Sequence, residues 1–211
     1  MTPDEPRQRC LELAWAAYAR GTVPVGAVLQ DAAGATVWEG RSRMYDSSGP
    51  PGQSGSSGEI RNSLLAHAEV NALVRLDPNR RYEDFTLYSS LEPCPLCLGA
   101  VGMATVGRLV YLGADPYGGA VGLHRPTRHL ARVDLTITGP DPGPAGRLAA
   151  ALHIAFYLRR NPDGHTVAVH RQEAPAVVAA AERLLALGAD EWARAGRSFD
   201  DVRADLLGAL A

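Results

Sequence analysis

The stretch "FTLYSSLEPCPLCLGAVGMATVGRLVYLGA", residues 85–114, carries two β-rich runs, Phe85–Leu91 and Arg108–Ala114, around an apolar segment, Leu96–Ala104, of the length of a three-turn helix. It reads as strand, helix, strand. Cys94 and Cys97 fall where the first strand ends and the helix begins. A thiolate there is favoured by the helix macrodipole and by unpaired backbone N–H groups.

Upstream lies "LLAHAEVNAL", residues 64–73, which sets a histidine and a glutamate two apart in an otherwise apolar, helix-forming run. We expect a helix from Leu64 to Leu76, with Asn62 or Ser63 as its N-cap and Pro78 beyond its end. Further upstream, residues 25–30 and 35–40 read as a hairpin around the turn-like cluster Asp31–Gly34. Residues 5–20 read as an amphipathic helix stopped by Gly21, with Cys10 and Trp15 in the core. Between the hairpin and the His67 helix, residues 47–58 are Ser, Gly and Pro except for Gln53, a run expected to be a mobile lid or disordered.

Downstream, "VDLTIT", residues 133–138, is a further strand candidate, and "GPDPGP", residues 139–144, breaks the chain. The remainder is Ala- and Leu-rich, with helices expected over Gly146–Arg160, Ala176–Leu187 and Phe199–Leu210; "NPDGHTVAVH" has no clear conformation. The expected division is a main domain over residues 1–143 and a helical C-terminal extension over 144–211 packed on it.

Composition excludes several classes. The chain has 211 residues, 46% hydrophobic, enough for one substantial core. All 21 basic residues are arginines, scattered singly or in pairs, and the net charge is −2, so a nucleic-acid partner is not favoured. No run reaches the roughly 18 uninterrupted apolar residues of a membrane span, and the N-terminus lacks a signal pattern, so a cytoplasmic location is expected. Three cysteines argue against a disulfide framework, and Cys-x-x-Cys in a reducing compartment suggests a metal or redox site.

His67, Cys94 and Cys97 supply an imidazole and two thiolates, a donor set suited to zinc. A closed structural site takes four protein ligands; three leave a position for water, whose pKa the metal lowers towards about 7. Glu69 lies about 200° around the helix from His67, which makes it a proton carrier bordering the site rather than a ligand.

These residues resemble the zinc-dependent cytidine deaminase superfamily, whose His-x-Glu and Pro-Cys-x-x-Cys signature is met by His67, Glu69, Pro93, Cys94 and Cys97, with the family's "PVGAV" strand at Pro24–Val28. The resemblance covers about residues 8–140, and "LEPCPLCLGA" is similar to the branch of tRNA adenosine, guanine and fungal-type cytosine deaminases. It implies an α/β fold, a three-layer α/β/α sandwich with a mixed sheet of about five strands, and a homodimer. It implies Zn2+ at His67, Cys94 and Cys97, with Glu69 shuttling protons while an exocyclic amine is hydrolysed to ammonia. The backbone at Ala68, Ser90 and Leu91 would position the base edge, and Val25 and Ala27 would form a pocket wall. The family commonly carries an asparagine where this chain has Ser42, which offers no paired amide donor and acceptor. Asp115 falls where guanine-type members place an acidic residue. Tyr157, with Phe156, lies where relatives often set an aromatic over the bound base, though core packing is the favoured role for both.

Three functions follow from these readings. A small-molecule enzyme acting on a nucleobase, nucleoside or related aminated heterocycle is favoured by the absent basic run and by Ser42. A tRNA adenosine deaminase-type editor and a catalytically inactive zinc-bound interaction protein are the alternatives. His124, His129, His153, His165 and His170 share no metal-like spacing and are expected on the surface or in packing, with room for one to touch substrate.

Overall fold

Residues 85–114 fold as their patterning requires: β3 (Thr86–Leu91), α3 (Pro95–Met103) and β4 (Arg108–Gly113), with the two strands paired in parallel. The crossover is closed by the apolar side chains of Leu98 and Val101, both buried. The computed structural model describes residues 5–46, 58–124, 128 and 130–210.

Ahead of this unit come α1 (Glu5–Ala19), the hairpin β1 (Gly26–Gln30) and β2 (Thr36–Arg41), and α2 (Ala68–Leu73). After it come β5 (Thr136–Thr138), α4 (Pro144–Arg160), α5 (His165–Glu173), α6 (Pro175–Leu187), α7 (Ala189–Arg194) and α8 (Phe199–Gly208). The five strands form one mixed sheet in the order β2-β1-β3-β4-β5, antiparallel through β1 and parallel from β3 to β5. Helices cover both faces, giving the α/β/α sandwich with its helical C-terminal part.

Strand alternation decides which helix meets which face. Gly26 points at α1, where a Cβ would lie 2.3 Å from the Cys10 carbonyl oxygen. Gly40, paired with Ala27 on the opposite face, points at α2, where a Cβ would lie 2.2 Å from the Ala68 oxygen. Both contacts are shorter than any side chain tolerates, so glycine at these positions lets a helix lie directly on the sheet. Helices α1 and α4 pack together on one face, and α2 and α3 on the other. Cys10 and Trp15 are buried on α1, as their positions predict.

Helix α2 differs from its expected span. It begins at Ala68 rather than near Leu64, and neither Asn62 nor Ser63 caps it. Asn62 sits at φ 48°, the Ser63 hydroxyl accepts the Leu65 N–H at 3.2 Å, and Arg43 N–H donates to Ala66 O at 2.9 Å. These bonds hold residues 62–66 in turns and leave His67 as the N-cap. The segment without a clear reading, Asn161–His170, passes through a turn into α5. The Ser/Gly/Pro run of 47–58 lies outside the described residues apart from Gly58, and His129 lies outside them too.

Candidate active site

The starts of two helices meet at the C-terminal end of β3. His67 is the N-cap of α2 and Cys94 the N-cap of α3, both with extended backbone. Cys97 follows one turn into α3 and is buried. The His67 Nδ1 atom lies 3.6 Å from Cys94 Sγ and 3.4 Å from Cys97 Sγ, and the three donor atoms all fall within 4.8 Å of one another. Zinc bonds of about 2.0 Å to nitrogen and 2.3 Å to sulfur, opened to a tetrahedral angle, set N···S edges of about 3.5 Å. The measured edges match that, so the donor set fits the ion in both chemistry and spacing.

The electrostatics favour a cation. The hydrogen bond with Cys97 draws the Cys94 thiol down to about 4, with His67 helping and burial opposing. The same bond, burial and the Glu69 charge push Cys97 upward. Burial works to lower His67, but the Cys94 and Glu69 groups raise it, so the thiolate and carboxylate draw positive charge to this point, as a proton on the imidazole or as a divalent ion that displaces it.

Glu69, 3% exposed, is fixed at both oxygens: Ser89 Oγ donates to Oε1 at 2.9 Å, and Cys97 Sγ to Oε2 at 3.2 Å. Ser89 pairs with Ala27, hence with the α2 face of the sheet. Its partnership with Glu69 was missed in the sequence, although strand alternation from Gly40 would have placed it there. Glu92 was missed as well. It accepts from Asp115 N–H at 3.3 Å and Val121 N–H at 3.4 Å, bracing the loop after β4 against the Cys94 turn.

These groups line one cavity of about 170 Å³. Of the residues expected in the substrate site, Val25, Ser42, Ala68, Leu91, Asp115 and Tyr157 border it. Ala27 and Ser90 do not. Ala27 is sealed beneath α2, and the Ser90 hydroxyl points to the other face, where it accepts the Gly26 N–H at 3.0 Å and ties β1 to β3. Ser42 is 2% exposed, its hydroxyl 3.4 Å from that of Thr22. Tyr157 lines the cavity from α4, whereas Phe156 packs in the core, stacked on Tyr45. His153 also lines the cavity, and His170 is fully buried behind it; His124 and His165 are partly exposed and exposed.

Residues 4–113 match the cytidine and deoxycytidylate deaminase zinc-binding region, and the chain belongs to that family of hydrolytic deaminases. Its cofactor is zinc, and His67, Cys94 and Cys97 are the residues that can hold it. The chain is 38% identical over 123 residues to a tRNA-specific adenosine deaminase of Haemophilus influenzae, covering 56% of this chain and 63% of that one. It is 30% identical over 117 residues to a tRNA-specific adenosine deaminase of Rickettsia bellii, covering 54% of this chain and 72% of that one. The fold is also that of a guanine deaminase from Nitrosomonas europaea, with a TM-score of 0.53 at 21% identity over 74% of this chain and 84% of that one. The family match ends at Gly113, before Asp115 and all of α4 to α8.

Proposed function

We propose that the protein hydrolyses the exocyclic amine of a small nucleobase, nucleoside or related aminated heterocycle, converting C–NH2 and water into C=O and ammonia. The observation that carries this reading is Glu69: a buried carboxylate held by Ser89, within 3.2 Å of Cys97 Sγ, beside a donor set one ligand short of a closed zinc site. Zinc held by His67, Cys94 and Cys97 supplies Lewis acidity and lowers the pKa of water towards about 7. Glu69 takes up the first proton that water gives up and passes it to a ring nitrogen; as the carbonyl forms, it takes the proton of the hydroxyl added to the carbon and delivers it to the amine, whose C–N bond breaks to release ammonia. The Ser89 hydroxyl keeps the carboxylate oriented through these transfers. The backbone of Ala68 and Leu91 with the side chain of Val25 hold the ring, and Ser42, Asp115 and Tyr157 complete the wall.

Two features favour a small substrate. A cavity of about 150 Å³ accommodates a benzene-sized ring, and the one here is about 170 Å³, bounded on one side by His153 and Tyr157 of α4 and Thr166 of α5. Its described lining includes Glu69, Glu92 and Asp115 and no arginine, which opposes a polyanion. The second reading, a tRNA-directed adenosine deaminase, draws on the names of the relatives.

An ammonia-release screen over cytosine, adenine, guanine, their nucleosides and tRNA separates the readings, with Glu69→Gln as control. Activity on a base or nucleoside that falls about 10²–10⁴-fold in Glu69→Gln with zinc retained is expected. Activity on tRNA alone, declining steeply with salt, would establish the second reading, and release from none with zinc bound would leave a non-catalytic interaction protein.

We also propose a homodimer in the cytoplasm. Val74 and Met103 border a groove between α2 and α3 and are 45% and 63% exposed, with Leu64, Leu65 and Leu96 exposed close by in sequence. No described helix is long and apolar enough to cross a membrane.

A further inference from the structure

Helix α4, which lies outside the family match, carries one stripe of side chains out of the cavity. His153, Tyr157 and Arg160 stand at positions i, i+4 and i+7, within about 60° of one another around the helix. His153 is 5% exposed and Tyr157 half-buried, and both line the cavity, while Arg160 is exposed. The stripe thus runs from the interior to solvent. Met44 and Thr166, beside Tyr157 in the lining, are also partly exposed, and Tyr117 is 52% exposed, so the cavity reaches the surface on this side.

Arg160 is held there by a ring and not by a carboxylate. Its guanidinium lies 3.9 Å from the centre of the Tyr45 ring, which stacks on Phe156 at 6.2 Å, and Tyr45 directly follows the cavity-lining Met44. Among the described residues Arg160 makes no ion pair and no side-chain hydrogen bond, whereas its neighbour Arg159 is tied to Asp190 at 2.6 Å. Stacking occupies the face of a guanidinium and leaves the five N–H donors on its edge. Its charge is felt at the cavity wall: burial pushes the Tyr157 hydroxyl up to about 12, Tyr45 and Asp115 add to that, and Arg160 opposes it. The described lining contributes the carboxylates Glu69, Glu92 and Asp115 and no arginine. An acidic group on a substrate is therefore repelled from the interior and attracted to Arg160. A single planar fork suits a single oxyanion, whereas a polyanion takes a track of cations.

We propose that Arg160 is a specificity-determining residue that binds one oxyanion, a phosphate or a carboxylate, on the arm of the substrate that leaves the cavity while the aminated ring lies inside. The substrate class is thereby narrowed to aminated heterocycles with one acidic substituent outside the ring. The inference rests on the deaminase reading for the identity of the cavity's occupant. It adds a recognition element that the His-x-Glu and Pro-Cys-x-x-Cys motifs do not contain.

The test uses the whole zinc-loaded chain and its Arg160→Gln variant, an exposed change that leaves the core untouched. Cytidine, adenosine and guanosine are each compared with their 5′-monophosphate and 5′-carboxylate. Wild type should prefer an acidic form over its parent nucleoside by about 10–100-fold in kcat/KM, mostly through KM, the gain a charge-assisted bidentate pair supplies. The form that gains more identifies the oxyanion. Arg160→Gln should bring the ratio to about one. Equal losses on acidic and neutral forms, an unchanged ratio in the variant, or turnover confined to neutral compounds or to tRNA would overturn the proposal while deamination itself stands. Calorimetric titration of the same compounds gives a readout that needs no turnover. An acidic form that binds wild type about 10-fold or more tightly than its nucleoside, with the gap closed in Arg160→Gln, supports the proposal even if no ammonia is released, which would count against the deaminase reading alone. Equal affinities for acidic and neutral forms, or no binding of any of them, would sink it.

Discussion

Asp46 sits just beyond β2, beside the cavity-lining Met44, with its carboxylate 2.6 Å from Arg41 and 3.1 Å from Arg43. Burial works to raise its pKa, but the two guanidinium groups win and hold it below the ordinary 3.8. On acidification the unfolded chain therefore binds the proton first, so the stabilisation from this pair is complete above about pH 4 and drains away as pH falls through the lower folded value. Asp46→Asn should lower stability at pH 7 and flatten the acid limb of a stability–pH curve below pH 4; an unchanged acid limb in urea titrations would contradict this. At this scale the zinc donors were legible because their chemistry is carried by residue type and spacing. Ser90 was not, because whether a strand hydroxyl faces a cavity or a neighbouring strand depends on its face of the sheet. The same alternation that turns Ser90 away turns Ser89 towards Glu69.

Among the elements, α2 is the one whose placement matters most and whose span was least legible. Its apolar run extends to Leu64 in sequence, yet the helix has only six residues, because turn-forming bonds at Asn62, Ser63 and Ala66 compete with helix over the preceding segment. The late start makes His67 a cap rather than a mid-turn residue, and that aims both it and Glu69 at the end of the sheet. Gly40 sets how closely the helix lies. A Cβ there would meet the backbone of Ala68 at 2.2 Å and of Ala72 at 2.6 Å, atoms with no flexible end to yield. Gly40→Ala should displace α2, cost about 1–3 kcal/mol or more, and weaken zinc retention against a chelator. A variant with wild-type melting temperature and zinc content would show that the close approach is not needed.

The whole molecule closes its cavity with a region outside the family match. Helix α4 buries Leu148, Leu152 and Ile154 completely, in the same core as β4 and α1, each such side chain contributing about 1.5–3 kcal/mol. We propose that residues 144–211, though distinct in composition, fold together with residues 1–143 as a packed extension. A chain ending at residue 143 should then lack a cooperative thermal transition by calorimetry, whereas a sharp melt would make the C-terminal part a separable domain. For the dimer, Met103→Glu should shift the sedimentation coefficient from a two-chain to a one-chain value without loss of zinc; an unmoved coefficient would place the interface elsewhere or remove it.

What the chain determined by itself was local and periodic: the strand–helix–strand unit, the hairpin, the amphipathic first helix, and a metal site whose ligands announce themselves by chemical type at helix starts. Only the tertiary structure decided which polar side chains gather at the cavity wall and directly behind it. Asp115, His153 and His170 are separated by 38 and 17 residues and have no common motif, and they meet because α4 and α5 pack over the end of the sheet beside the loop after β4. The physical reason is that hydrogen-bonded periodicity and ligand chemistry act over a few neighbouring residues, whereas burial that brings distant groups together depends on how whole faces pack.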